Sequence, residues 1–296
     1  MFKVFLYDEF TPEDNAMLQA LYSRSPKSVV EHVDKVRAVG SGKFMSTYYV
    51  GYGHNSIADC GSTTLFIEGL SILADKAIQD WPLYSGQETS TRYVDMAAQP
   101  IIDPLNTPES QTIIKRWMNF YTKNGQGLQD YLKTVYPRQP AEDEKIYNKA
   151  IQARSFDILR AWLPAGITTQ LSWHTNLRQA WDKLSLLRYW PLPEVRAIAE
   201  AMIKELQNKY EHSFNHKHYE ATATYREDMM MKYAYFNPST QPDFQAQINI
   251  AKQELNKYSD ALSQRPLKTN LPLFLGELGN VVFDFLLDYG SWRDIQ

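Results

Sequence analysis

From about residue 146 to residue 234 the apolar residues keep a helical spacing, broken at Pro164-Ala165-Gly166 and again at Trp190–Pro193. That stretch constrains the fold most, because apolar side chains recurring every three or four residues line one face of a helix. The first half is more mixed. Residues 2–7 alternate enough for a short strand, and Thr11-Pro12-Glu13-Asp14 supplies an N-cap, a first-turn proline and two acids to begin a helix. A second helix is expected around 27–38, a glycine-punctuated segment from 40 to 56, a strand over 63–69 and a mostly buried helix over 71–81, stopped by Pro82. Thr107-Pro108-Glu109 starts a helix running to about Tyr131, and 137–145 is a solvated turn. The expected class is α+β, largely helical, with a modest mixed or antiparallel sheet.

The division expected is a main domain over 1–235, a linker with one polar helix over 236–272, and a separate terminal element over 273–296. No apolar run approaches the roughly 20 residues of a membrane helix, and the first residues lack a basic segment leading into an apolar one. The lone Cys60 permits no intrachain disulfide and fits a reducing, cytoplasmic compartment. A net charge of −3 argues against a broad nucleic-acid-binding face. It leaves open a small phosphorylated ligand, which needs only two or three well-placed arginines.

Gln87-Glu88-Thr89-Ser90-Thr91-Arg92-Tyr93 gathers an amide, a carboxylate, hydroxyls, a guanidinium and a phenol in seven residues. In an extended segment Glu88, Ser90 and Arg92 share a side, where arginine and serine can donate to a phosphate and glutamate can accept from a sugar hydroxyl. A solvated loop with an internal Glu–Arg pair would look the same. A second cluster places Arg160, Asn176, Arg178 and Arg188 in a segment otherwise rich in Leu, Ile and Trp. Buried there, such donors need partners; the plainer alternative is a helical hairpin whose arginines cap carbonyls or snorkel.

Taken in order, these motifs resemble flavin-dependent thymidylate synthases over roughly residues 40–205. GHNSIAD is similar to that family's His-x-Ser-x-x-Glu turn, giving His54, Ser56 and, with a shorter carboxylate, Asp59. QETSTRY resembles its Glu-x-Ser-x-Arg-Tyr segment, and Arg160, Leu163, Pro164, Thr169, Trp173, Asn176 and Arg178 follow its R-x-x-L-P and N-x-R run. The resemblance implies reductive methylation of dUMP to dTMP by a homotetrameric methyltransferase of nucleotide biosynthesis. It implies FAD as cofactor and NADPH and methylenetetrahydrofolate as co-substrates. Gln87, Glu88, Ser90, Arg92 and Arg160 would hold dUMP or a related pyrimidine nucleotide. Ser90 and Arg188 would be catalytic, Arg188 polarising the pyrimidine, and His54, Ser56, Asn176 and Arg178 would face the flavin. A nucleotide-binding or structural homologue without catalysis is the alternative.

The chain departs from the family where the Arg-His-Arg tripeptide should precede residue 87. Asp80-Trp81-Pro82 stands there, an anion and apolar rings in place of two cations that would meet the flavin's phosphates. The segment LRYWPLPEVR also lacks the family's Ala-Gln pair. FDFLLDYGSWRDIQ (283–296) resembles the lead-in to that tripeptide and echoes LFIEGLSILADKAIQ (65–79), so a second copy is expected to begin there. His212 and His216 have zinc-like spacing, but no third ligand is evident and no metal is expected. His32 and His174 are expected as packing residues of apolar helices.

Overall fold

The computed structural model describes residues 9–25, 27–91, 94, 96–234 and 243–295; the strand expected over 2–7 lies outside them. The chain opens with α1 (Pro12–Tyr22) and α2 (Val29–Val39). The Thr11 hydroxyl accepts the Asp14 backbone N–H at 3.2 Å, so the cap read from the sequence forms. The glycine-punctuated segment is helical, a short α3 (Gly42–Phe44) widening into a π-turn over Met45–Gly51 and followed by α4 (Asn55–Ala58).

Strand β1 (Ser62–Ser71) leads into α5 (Ile72–Gln79), then β2 (Ser85–Glu88). Gly69, with φ of 75°, absorbs a register shift between Glu68 and Leu70 within β1. Helix α6 (Pro108–Lys123) begins with a Thr107–Ser110 capping box. It breaks at Asn124, so the single helix expected to Tyr131 is two, α6 and α7 (Gly125–Val135), before α8 (Glu144–Leu159).

The largest departure follows Pro164-Ala165-Gly166. Residues 168–176 form strand β3 (Thr168–Asn176), where the helical reading continued. Leu171 and Trp173 point inward while Gln170 and His174 are exposed, a period of two rather than 3.6. His174 therefore packs in no helix; its Nδ1 lies 3.0 Å from the Thr64 hydroxyl across the sheet. The sheet order is β1-β3-β2, both pairs antiparallel. Two helices complete the core, α9 (Leu177–Leu187) and α10 (Pro193–Lys209). Leu177, Ala180, Leu184 and Leu187 of α9 meet Val195, Ala199, Met202, Ile203 and Leu206 of α10, with Trp173 fully buried beneath them. Burial of that apolar stripe, at about 25 cal/mol per Å², is the main force holding α9 against α10 and β3.

After α10 come α11 (Glu211–Phe214) and α12 (Glu220–Met229). The segment read as a linker around one polar helix contains strand β4 (Phe244–Ile250) and two short helices, α13 (Lys252–Asn256) and α14 (Ser259–Ser263). Strand β4 pairs antiparallel with β5 (Gly279–Phe285), and α15 (Tyr289–Ile295) follows. The order β5–α15 is that of β1–α5, and the Tyr289 hydroxyl donates to the Ile72 carbonyl at 2.6 Å. Among the described residues no helix is long and apolar enough to cross a membrane.

Candidate functional site

Strand β2 carries Gln87 and Glu88 along β3, opposite Ser172 and Leu171. The Gln87 backbone N–H donates to the Ser172 hydroxyl at 3.1 Å, and its side chain is exposed. Beneath Glu88, α5 supplies a buried polar network. The Gln79 amide donates to Asp75 Oδ2 at 2.6 Å and to Glu88 Oε2 at 3.2 Å. Lys76 Nζ donates to Gln79 Oε1 at 2.9 Å and pairs with Glu88 Oε2 at 3.0 Å. Asp75 is wholly buried and its Oδ1 has no partner. Burial, reinforced by the negative charge of Glu88, pushes the Asp75 carboxyl up to about 8. Tyr84, whose hydroxyl donates to the Ser172 carbonyl at 2.9 Å, is raised by burial and then by the same two carboxylates.

Ser90 follows in a turn, its carbonyl accepting from Val94 N–H at 3.2 Å. Arg92, central to the sequence reading, lies outside the described residues. Arg160 opens a 3₁₀ turn (Arg160–Trp162) at the end of α8, and its guanidinium lies 3.5 Å from Asp157. Among the described residues Glu88 pairs with Lys76 and Arg160 with Asp157.

The two segments that carry the residues expected to face a flavin are tied by one ion pair, Asp59 with Arg178. His54 precedes α4 and stacks on Tyr48, with ring centroids 6.2 Å apart; Ser56 is exposed on α4 itself. Asp59 ends that helix and accepts from Arg178 Nε at 2.7 Å, tying α4 to the first turn of α9. Arg178 also lies 3.7 Å from Asp182. Asn176, the last residue of β3, caps α9 by accepting from Gln179 N–H at 2.8 Å.

Asp80-Trp81-Pro82 forms a locked turn beside this group. Trp81 Nε1 donates to Gln179 Oε1 at 2.9 Å, and Lys183 Nζ donates to the Asp80 carbonyl at 2.7 Å. Lys183 is buried, 5.6 Å from the Trp81 ring centroid and 5.5 Å from that of Trp190. Burial pulls its ammonium down to about 8, against the opposing pull of Asp80. Lys183 is committed inward and the turn itself offers an anion and apolar rings, so residues 80–82 do not fit a cofactor diphosphate.

Sequence reasoning did not single out Asp75, Lys76 or Lys183. The signal was a charged residue at a buried helical spacing, Lys183 falling between Ala180 and Leu187. Arg188 forms a two-pronged pair with Glu200, at 2.5 and 3.4 Å. The histidines have separate partners: His212 lies 3.1 Å from the Ser46 hydroxyl, His218 3.1 Å from Glu220, and His216 stacks on Trp181.

A family profile described as thymidylate synthase complementing protein matches residues 6–210. A UPF0159 protein of Chlamydia muridarum (strain MoPn / Nigg) is 24% identical over 305 residues, covering 83% of this chain and 57% of its own length. A UPF0159 protein of Chlamydia pneumoniae is 26% identical over 167 residues, covering 52% and 32%. The chain therefore spans little more than half, or less, of these relatives. Among solved structures, flavin-dependent thymidylate synthase ThyX of Helicobacter pylori, complexed with FAD and dUMP, superposes with a TM-score of 0.41 at 18% identity, over 69% of this chain and 94% of that one. The UMP/dUMP methylase PolB of Streptomyces cacaoi, bound with 5-Br dUMP, gives 0.46 at 17% identity, over 69% and 88%.

Proposed function

The chain belongs to the thymidylate synthase complementing protein family, and from that premise we propose that it binds a pyrimidine nucleotide of the dUMP class and serves its reductive methylation to dTMP. The observation behind this reading is the anchoring of Gln87 and Glu88 on β3 above the buried Asp75–Lys76–Gln79 network. A carboxylate fixed by an amide and an ammonium keeps a defined direction for accepting a sugar hydroxyl. Ser90, Arg92 and Arg160 are the donors for the phosphate. Arg188 can polarise a pyrimidine carbonyl only by leaving Glu200, and a cation there would favour electron density at the ring carbon to be methylated.

FAD, NADPH and methylenetetrahydrofolate enter as the family's co-reactants. The turn at 80–82 does not fit the flavin's diphosphate, so in this reading its cations come from another segment of a longer protein or from a subunit that carries Arg-His-Arg. The same turn favours a second reading, a nucleotide-binding homologue that does no chemistry itself. Tritium release from C5-labelled dUMP, measured with NADPH, methylenetetrahydrofolate and FAD, separates the two. Release is expected only when a copy bearing Arg-His-Arg is added. Full activity of the chain alone would contradict the division of labour, and no release in either case would favour the second reading.

A further inference from the structure

A cavity of about 800 Å³ opens between the end of the π-turn, α9, α10 and the segment 215–226. That size suits a small metabolite. Much of its wall lies beyond residue 210, where the family match ends. Three cations line it, Arg188, Lys217 and Arg226, and no carboxylate is among the lining residues. Arg188 is held by Glu200, but Lys217 and Arg226 make no ion pair among the described residues. Asp182 is near enough to feel Arg226 and is engaged by Arg178.

Two residues of the lining carry buried polar atoms that lack a partner. Ser185 is 2% exposed and its hydroxyl has no hydrogen-bond partner. His216 Nε2 is also buried without a partner, its ring clamped flat against Trp181 with centroids 4.1 Å apart and edge-on to Tyr49 at 5.5 Å. Burial lowers the His216 pKa, against a backbone hydrogen bond with Ser213. A buried hydroxyl left unmatched weakens a fold, and such groups are rare without a compensating partner.

We propose that this cavity binds a small phosphorylated metabolite, its phosphate held by Arg226 and Lys217 and accepting a hydrogen bond from the Ser185 hydroxyl. Charge-assisted donors converging on one concave wall are the usual means of gripping such an anion. The cavity shares Arg188 with the site proposed for uridylate, whereas Ser185, Lys217 and Arg226 belong to the cavity alone.

The probe is ribose 5-phosphate, titrated calorimetrically into the full chain, with ribose as the phosphate-free control and dUMP titrated alongside. Saturable binding of ribose 5-phosphate but not ribose is expected. Arg226→Ala should weaken it at least tenfold, and Arg160→Ala should leave it unchanged. Ser185→Ala should weaken it while leaving the melting temperature of the free chain unchanged or raised, since it removes an unmatched hydroxyl. A purely structural serine would give the opposite, a lower melting temperature with affinity intact. The proposal is overturned by that pattern, by absence of binding, or by indifference to Arg226→Ala. Loss of binding in Arg160→Ala would also overturn it, by assigning the anion to the uridylate site.

Discussion

Replacing Asp75 by Asn tests whether the network under β2 holds a proton. Asp75 is fully buried and raised from the ordinary carboxylate range to about 8, chiefly by burial and then by Glu88. A folded-state pKa above the unfolded one means that the folded chain keeps a proton the unfolded chain releases. Stability from this group is fully present below about pH 4 and is lost as pH rises toward 8. Each pH unit in that window is worth about 1.4 kcal/mol, so about 4 kcal/mol separates pH 5 from pH 8. Asn keeps the shape and can still accept from Gln79, but it does not titrate. The difference in unfolding free energy between Asp75→Asn and wild type should therefore move in the variant's favour by about 4 kcal/mol over that interval. Urea denaturation at several pH values measures it. Taking the difference cancels Glu13 and Asp182, which are also raised and slope the same way. A difference that stays constant from pH 5 to pH 8 would refute the proton-holding network.

Arg92→Ala and Arg160→Ala should each weaken dUMP binding by roughly ten- to a hundredfold, the value of a charged hydrogen bond. The melting temperature of the free chain should barely move if the two arginines serve the ligand; unfolding of the variants would show buried structural arginines instead. Asn176→Ala removes the α9 cap and should cost about 0.5–2 kcal/mol in urea unfolding, with dUMP affinity unchanged. Asn176→Asp should restore most of that stability, and failure to do so would deny the capping role.

Local rules were legible where chemistry and position coincide. Thr11-Pro12 and Thr107-Pro108 announce helix starts because a hydroxyl cap and a first-turn proline act within four residues, and both caps form. The strand expected over 63–69 falls within β1. Strand β3 was not read, although Leu171, Trp173 and Thr175 alternate inward between exposed or half-buried neighbours. Helices on either side made a 3.6-residue pattern easy to extend through it, and what decides the element is pairing with β1, more than a hundred residues earlier. The candidate site divides similarly. Residue types at 87–92 and 176–178 carried the chemistry in one dimension. The Asp75–Glu88 pair and the inward turn of Lys183 arise only when β2, α5 and α9 are packed, so composition and spacing could not show them.

The most direct measurement is a calorimetric titration of the chain with dUMP and, in parallel, with deoxyuridine. Phosphate recognition by Arg92 and Arg160, with Glu88 holding the sugar, predicts saturable binding of dUMP and affinity for deoxyuridine lower by roughly tenfold or more. No heat with dUMP, or equal affinity for the two, would contradict it.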